Sequence, residues 1–345
     1  MTDRSDPEAP SPPAPEPSPD GPAGSDPAPR HLGLTTFTIE GRQAPALFVV
    51  GWLATLIGVA LTAIVAFGAP GLGGAIMSLA SLFALSLGLI LLAGSQTIER
   101  RAAGAAYAGP SPLLVLIAVV AVTRLAGFLV GVLLVPFADR IPLEVGDLIA
   151  VVLQALVFFG VLRVLIVGPG VLSWAQMGWI ADRAVAIRGL SGGAVFAGPL
   201  ILVTSLIVAV AVNLAGVAPP SPLPPTGTLS GLVLHLIAGA LVAPLAEEML
   251  FRGFALTAWR QLVGVRGAIV RSSIVFVLAH VLFVSGDTFS ETVRVAFVAG
   301  VVRIPVAFAL GWLFVRTGSI WGPIGLHAAF NGILIALAEA AARPS

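Results

Sequence analysis

The chain has 345 residues, 57% of them hydrophobic and 10% charged, and a mean hydropathy of +1.02, which excludes a soluble globular domain. A net charge of +1, with arginines scattered between apolar segments, builds no basic face and sets nucleic acid aside as a partner. With no cysteine, the chain has no disulfide, thiolate metal site or cysteine nucleophile.

Residues 1 to about 43 are rich in Pro, Ala, Ser and acidic residues, as in Ser11 to Asp20, and hold too little apolar surface for a core. A disordered tail acting as a linker is expected here, with no secretory signal pattern. Nine apolar segments follow, at about 45–67, 75–94, 112–135, 148–167, 193–216, 229–251, 267–284, 293–315 and 320–339, each near the length that crosses a bilayer. They are separated by turn-forming clusters such as Gly68 to Gly74, Pro219 to Pro225 and Thr317 to Pro323. The expected fold is therefore all-α, a polytopic bundle of about nine transmembrane helices. Its parts are a tail (about 1–43), N-terminal membrane helices (about 44–228) and a C-terminal domain (about 229–340) set apart by its polar residues.

Arg30, Arg42, Arg100, Arg101, Arg183, Arg188, Arg260, Arg266 and Arg316 fall on one set of alternate connections. Only Arg140, Arg294 and Arg343 fall near the opposite interfaces. The positive-inside rule then puts the N-terminal tail in the cytoplasm and, with nine spans, the C-terminus on the far side.

Glu247 and Glu248 interrupt the sixth apolar segment, and between Asp182 and Asp287 they are the only acidic residues. A carboxylate at the centre of a membrane helix costs about 2.5 to 3.5 kcal/mol, so such groups face a protein interior or a wet cavity and carry function. Three of the four histidines, His235, His280 and His327, lie in the same third of the chain. Measured from Arg260, Arg266 and Arg316 at about 1.5 Å per residue, Glu247, His280 and His327 lie about 20, 21 and 16 Å deep. Three separate spans thus bring a carboxylate and two imidazoles to one level.

Neighbouring helical residues point about 100° apart, so Glu247 and Glu248 cannot share one cavity. Glu248 and Arg252 are four apart in the favoured order for an ion pair, which leaves Glu247 as the freer carboxylate. His327 and Asn331, also four apart, project an imidazole and an amide together. His235, about 18 Å along its helix from Glu247, reads as a hydrogen-bonded packing residue. Arg124, Arg163 and Arg303 read as snorkelling or bundle arginines, with a contact to the site the alternative for Arg303, and Gln154 and Asn213 as links between helices.

Glu247-Glu-Met-Leu-Phe-Arg252, Phe276-Val-Leu-Ala-His280 and His327-Ala-Ala-Phe-Asn331 resemble, in order and helical context, the three motifs of the CPBP (CAAX protease and bacteriocin-processing) family of intramembrane proteases. That family includes the type II CAAX prenyl endopeptidases and proteins linked to bacteriocin self-immunity. The likeness spans roughly 229–339, and Ser173 to Trp179 resembles a short segment that often precedes the domain. It implies peptide-bond hydrolysis in the membrane, on a membrane-associated peptide or protein that in the best-known relatives is prenylated. Carried over by motif, Glu247 and His280 activate a water, while His327 and Asn331 stabilise the oxyanion. Glu248, Arg252 and Phe276 support them.

No cofactor is required on this reading. Zinc is the alternative, because Glu247, His280 and His327 form a two-histidine, one-carboxylate set, although the helical two-histidine zinc motif with its adjacent glutamate is absent. Two rival functions remain at this stage. One is a catalytically silent scaffold or self-immunity protein of the same fold. The other is a secondary transporter, disfavoured because the polar set is confined to one end of the chain and does not recur in both halves.

Overall fold

The computed structural model of the chain describes residues 37–68, 71–218, 221 and 223–343. Residues 1–36, most of the tail expected to be disordered, lie outside the described residues. Among those described there is no strand, and eight helical stretches are long and apolar enough to cross a membrane. The protein is an integral, multi-pass membrane protein.

Helix α1 (Pro45–Ala66) and α2 (Gly71–Ala102) form a hairpin, joined toward its turn by the Thr62 and Ser81 hydroxyls 2.6 Å apart. Pro45 opens α1 and Pro112 opens α3 (Pro112–Leu134) at first-turn positions, where a missing N–H leaves no hydrogen bond unmade. A 3-10 turn, Val135–Arg140, leads to α4 (Leu143–Leu162), which ends in a π-helical turn, Arg163–Val167. Helices α5 (Arg183–Val195) and α6 (Ala197–Ala215) together form one crossing, which starts about ten residues earlier than the apolar run alone suggests. The Asp182 side chain caps it by accepting from Val185 N at 2.9 Å, so the polar start Arg183 to Arg188 is helical as well.

The stretch Leu229–Val281 is one continuous run of helical turns by length, yet it contains two crossings. It comprises α7 (Leu229–His235), α8 (Ala243–Glu248) and α9 (Thr257–Val281), joined by π-helical turns at Leu236–Val242 and Met249–Leu256. Gly264 breaks it with φ 74° and ψ 177°, a backbone state open to glycine and strained for other residues. The Phe251 and Phe276 rings stand 5.2 Å apart, whereas a straight helix would separate them by about 37 Å. The chain therefore reverses at Gly264, and the eight long stretches contain the nine segments read from the sequence. Helices α10 (Phe289–Thr317) and α11 (Trp321–Ala341) complete the bundle.

Contacts on two sides hold the start of α11 in place. A Cβ on Gly193 would overlap Gly322 O and one on Gly325 would overlap Leu190 O, so α5 and α11 meet backbone to backbone. The segment Ser173 to Trp179 braces the other side, with Ile320 N donating to Gly178 O at 3.0 Å and the Trp179 and Trp321 rings 4.8 Å apart. The main apolar core joins α2, α3, α4 and the C-terminal helices, while outward residues such as Leu72, Val195 and Leu214 are exposed, as lipid-facing positions would be.

Candidate functional site

The two glutamates sit on α8, a helix of six residues between two π-helical turns. Pro244, in the first turn of α8, has no N–H to offer Ala240 O, and the turn before it is π-helical. Widened turns of this kind shift side-chain register and free carbonyl groups. One such carbonyl, Gly239 O, accepts from Asn331 Nδ2 at 2.9 Å.

Glu248 and Arg252 are fully buried, at 0% exposure, and Glu247 is at 9%. Arg252 Nη1 donates to Glu248 Oε1 at 2.9 Å and Nη2 donates to Ala307 O at 3.1 Å. The guanidinium carbon stands 4.3 Å from the centre of the Phe276 ring. Phe276 is the hub of the site's packing: its ring also meets Phe251 at 5.2 Å, His280 at 4.5 Å and His327 at 5.9 Å.

Each imidazole is held by one nitrogen and presents the other. His280 Nδ1 lies 2.8 Å from Phe276 O, and because a carbonyl only accepts, Nδ1 carries the proton. His280 Nε2 then faces Glu247 Oε2 at 3.7 Å. His327 Nδ1 lies 2.8 Å from Glu248 Oε1, and its Nε2 lies 4.0 Å from the same Glu247 oxygen. The two glutamates diverge as a 100° step requires, yet the His327 ring spans them, one nitrogen to each.

Two nitrogens thus converge on one carboxylate oxygen at separations too long for direct hydrogen bonds and suited to sharing a small molecule such as water. A zinc ion with ligands at about 2.0 to 2.1 Å in a tetrahedron needs donor atoms about 3.3 Å apart. The Glu247 separations exceed that, and among the described residues no group of three or more His, Asp or Glu side chains is gathered to hold a metal.

Sequence reasoning brought Glu247, His280 and His327 together correctly in depth, and paired Glu248 with Arg252. It missed the Glu248–His327 bond, since residues 79 apart in the chain carry no spacing signal. It turned Asn331 toward the site, whereas the amide also serves Gly239. Arg303, read as a bundle arginine, lies within electrostatic reach of both Glu247 and His280.

A second histidine cluster lies elsewhere in the same domain. His235 Nδ1 bonds Glu339 Oε1 at 2.7 Å, and Glu339 Oε2 accepts from Gly227 N at 2.8 Å and Thr226 N at 3.1 Å. His235 Nε2 stands 3.3 Å from Asp147 Oδ2, an ion-pair contact without hydrogen-bond geometry. Sequence reading gave His235 a packing role and named neither partner.

Residues 229–333 match the family model described as type II CAAX prenyl endopeptidase Rce1-like. The matched segment contains all three motifs and agrees with the resemblance drawn from them. It supports a CAAX-type protease as the general class. No curated protein and no solved structure matches the chain.

Proposed function

We propose that the chain, through its Rce1-like domain, is an intramembrane endopeptidase that hydrolyses a peptide bond of a membrane-associated protein or peptide, with lipidated substrates included. The observation that carries the reading is the convergence of His280 Nε2 and His327 Nε2 on Glu247 Oε2, at 3.7 and 4.0 Å, in the segment that matches the family.

In this reading a water binds between Glu247 and His280. Glu247 takes one proton from it as the oxygen attacks the scissile carbonyl, and His280 Nε2 accepts a hydrogen bond from the other. The resulting oxyanion is held by His327 Nε2–H and by the second Asn331 N–H, the first being committed to Gly239 O. His327 is aimed at the oxyanion through its other nitrogen, Nδ1, which lies 2.8 Å from the buried Glu248 carboxyl group. Arg252 in turn holds Glu248 in place. Collapse of the tetrahedral intermediate breaks the C–N bond, and Glu247 returns its proton to the leaving amine. The protein needs no metal for these steps.

The test is cleavage of a prenylated peptide by the purified chain in lipid, with and without Glu247→Ala, after both proteins are shown to melt alike. Equal cleavage by the folded Glu247→Ala variant would sink the assignment. Activity lost to a chelator and regained only with zinc would replace the metal-free mechanism. A folded chain that cleaves neither prenylated nor unprenylated peptides would favour the silent scaffold.

A further inference from the structure

The proposed chemistry leaves the most unevenly charged part of the chain unused. Residues 1–36 hold six acidic residues, Asp3, Asp6, Glu8, Glu16, Asp20 and Asp26, against Arg4 and Arg30. The rest of the chain reverses the balance, with sixteen arginines against eleven acidic residues. Six of those arginines gather at one end of the bundle. Arg101, at the end of α2, donates to Pro169 O just past α4, and the segment that follows docks on the start of α11 through Ile320 N to Gly178 O at 3.0 Å and Trp321 Nε1 to Ile180 O at 2.8 Å. Arg183 and Arg188 lie on α5, which leaves that segment, and Arg316 ends α10 just before Ile320. The π-helical turn ahead of α9 packs there too, since a Cβ on Gly253 would meet Met177 O at 3.0 Å, and Arg260 and Arg266 flank the reversal at Gly264 beyond it. All six are exposed, and among the described residues none makes an ion pair.

Acidic groups at this end are few. Glu99 is paired with Arg42 at 3.0 Å and Asp182 caps α5, which leaves Glu40 among the described residues. The tail joins the bundle at the same end: the Phe37 ring stands 5.1 Å from Trp52 and 6.3 Å from Phe48, and Arg42, five residues on, holds Glu99, two residues before Arg101. Reach is sufficient. At about 3.1 Å per residue, a Pro-rich stretch running back from Phe37 places Asp26 up to about 34 Å away and Asp3 up to about 105 Å away. A bundle whose helices pack about 8 to 10 Å apart is crossed within that distance. Tethering supplies a high local concentration, so ion pairs that are individually weak act together. Lipid headgroups ring a bundle, whereas a tail anchored beside α1 and α2 reaches across its end.

We infer that this arginine-lined end is a docking surface for the chain's own residues 3–26, whose carboxylates lie across it as a salt-sensitive strap and withhold it from other acidic partners. The strap is independent of the peptidase reading. Its attraction comes from a tail with an excess of carboxylates meeting guanidinium groups that have no acidic partner of their own, and screening by salt weakens it directly.

The chain has no cysteine, so Ser18→Cys in the tail and Gln261→Cys beside Arg260 can carry a pair of spin labels, with the full chain in discs of phosphatidylcholine. Double electron–electron resonance should give a dominant short-distance population at about 50 mM salt that falls about five- to tenfold at about 1 M, where the screening length is about 3 Å. Replacing the four Asp of residues 1–36 by Asn and the two Glu by Gln should give the high-salt distribution already at low salt. That variant changes no residue of the bundle, so misfolding cannot account for the result. Arg260→Gln combined with Arg266→Gln and Arg316→Gln, at an unchanged thermal midpoint, should do the same from the other side. Long, broad distances for the labelled wild-type chain at low salt, or the same distances before and after the tail is neutralised, overturn the inference. If the distances are broad and the thermal midpoint rises when phosphatidylserine is added to the discs, the arginines belong to lipid headgroups and the strap is ruled out.

Discussion

The two histidine–carboxylate clusters of the C-terminal domain are built from the same residue types and differ in closure. Around His235 the imidazole is 2.7 Å from one carboxylate and 3.3 Å from another, and Glu339 also takes two backbone N–H groups. Around Glu247 the corresponding separations are 3.7 and 4.0 Å, and among the described residues no side chain or backbone group donates a hydrogen bond to the carboxylate. The His235–Glu339 pair is almost fully buried, whereas the His280 and Glu247 side chains keep 25% and 12% exposure, so the Glu247 cluster is the more accessible of the two. Closure differs as well: a carboxylate hydrogen-bonded through both oxygens, as Glu339 is, joins helices, and one held slightly apart from its imidazoles retains the capacity to move a proton.

The strongest break of that comparison is Glu247→Ala or His280→Ala. Loss of the proton acceptor or its partner should lower kcat by about 10²- to 10⁴-fold. The thermal midpoint should stay near wild type, because among the described residues Glu247 makes no close hydrogen bond whose loss would strand a buried partner. Glu248→Ala lies between the clusters in character. It strands the fully buried Arg252 and releases His327, so it should destabilise the fold by about 3 to 5 kcal/mol as well as stop cleavage. Glu248→Gln, which preserves shape and removes charge, should retain more stability than activity, since its amide is a weaker acceptor for positioning His327. Denaturation in detergent and single-turnover cleavage, measured on the same preparation, separate the two effects.

Asn331→Ala should cost about 10²- to 10³-fold in kcat with KM little changed, the pattern of a donor used only in the transition state. A shift confined to the melting curve would instead assign Asn331 wholly to Gly239 O and the π-helical turn.

The legible part of this molecule is what local periodicity encodes. Apolar runs mark the crossings, arginines mark interfaces, and i, i+4 spacing marks Glu248–Arg252 and His327–Asn331. The reversal between the sixth and seventh crossings was legible too, because two apolar runs are separated by a stretch with Arg260 and Arg266, but its pivot at Gly264 was not. Contacts between distant segments were not legible. Glu248–His327 and His235–Glu339 join residues 79 and 104 apart, and their pairing follows from how α11 docks on α5, α7 and α8. The π-helical turns were also hidden: Pro244 signals a disturbed helix, but the sequence does not say whether the chain kinks or widens.

Glu339→Ala should have the smallest effect on chemistry, and it sharpens the comparison from the closed side. Glu339 touches neither Glu247 nor the imidazoles facing it, but it ties the end of α11 to the entry of α7 through Thr226, Gly227 and His235. Its removal leaves two backbone N–H groups and one imidazole nitrogen without their acceptor, a loss of about 1 to 3 kcal/mol in stability. Cleavage by the fraction that remains folded should proceed at the wild-type rate, because His327 lies about 18 Å along α11 from Glu339 and is fixed there by Glu248. Glu339→Gln, which can still accept from Gly227 N, should recover most of the lost stability. A fall in kcat at temperatures where the variant is fully folded would mean that the two clusters are coupled through α11, and that closure at one end of the helix sets the position of His327 at the other.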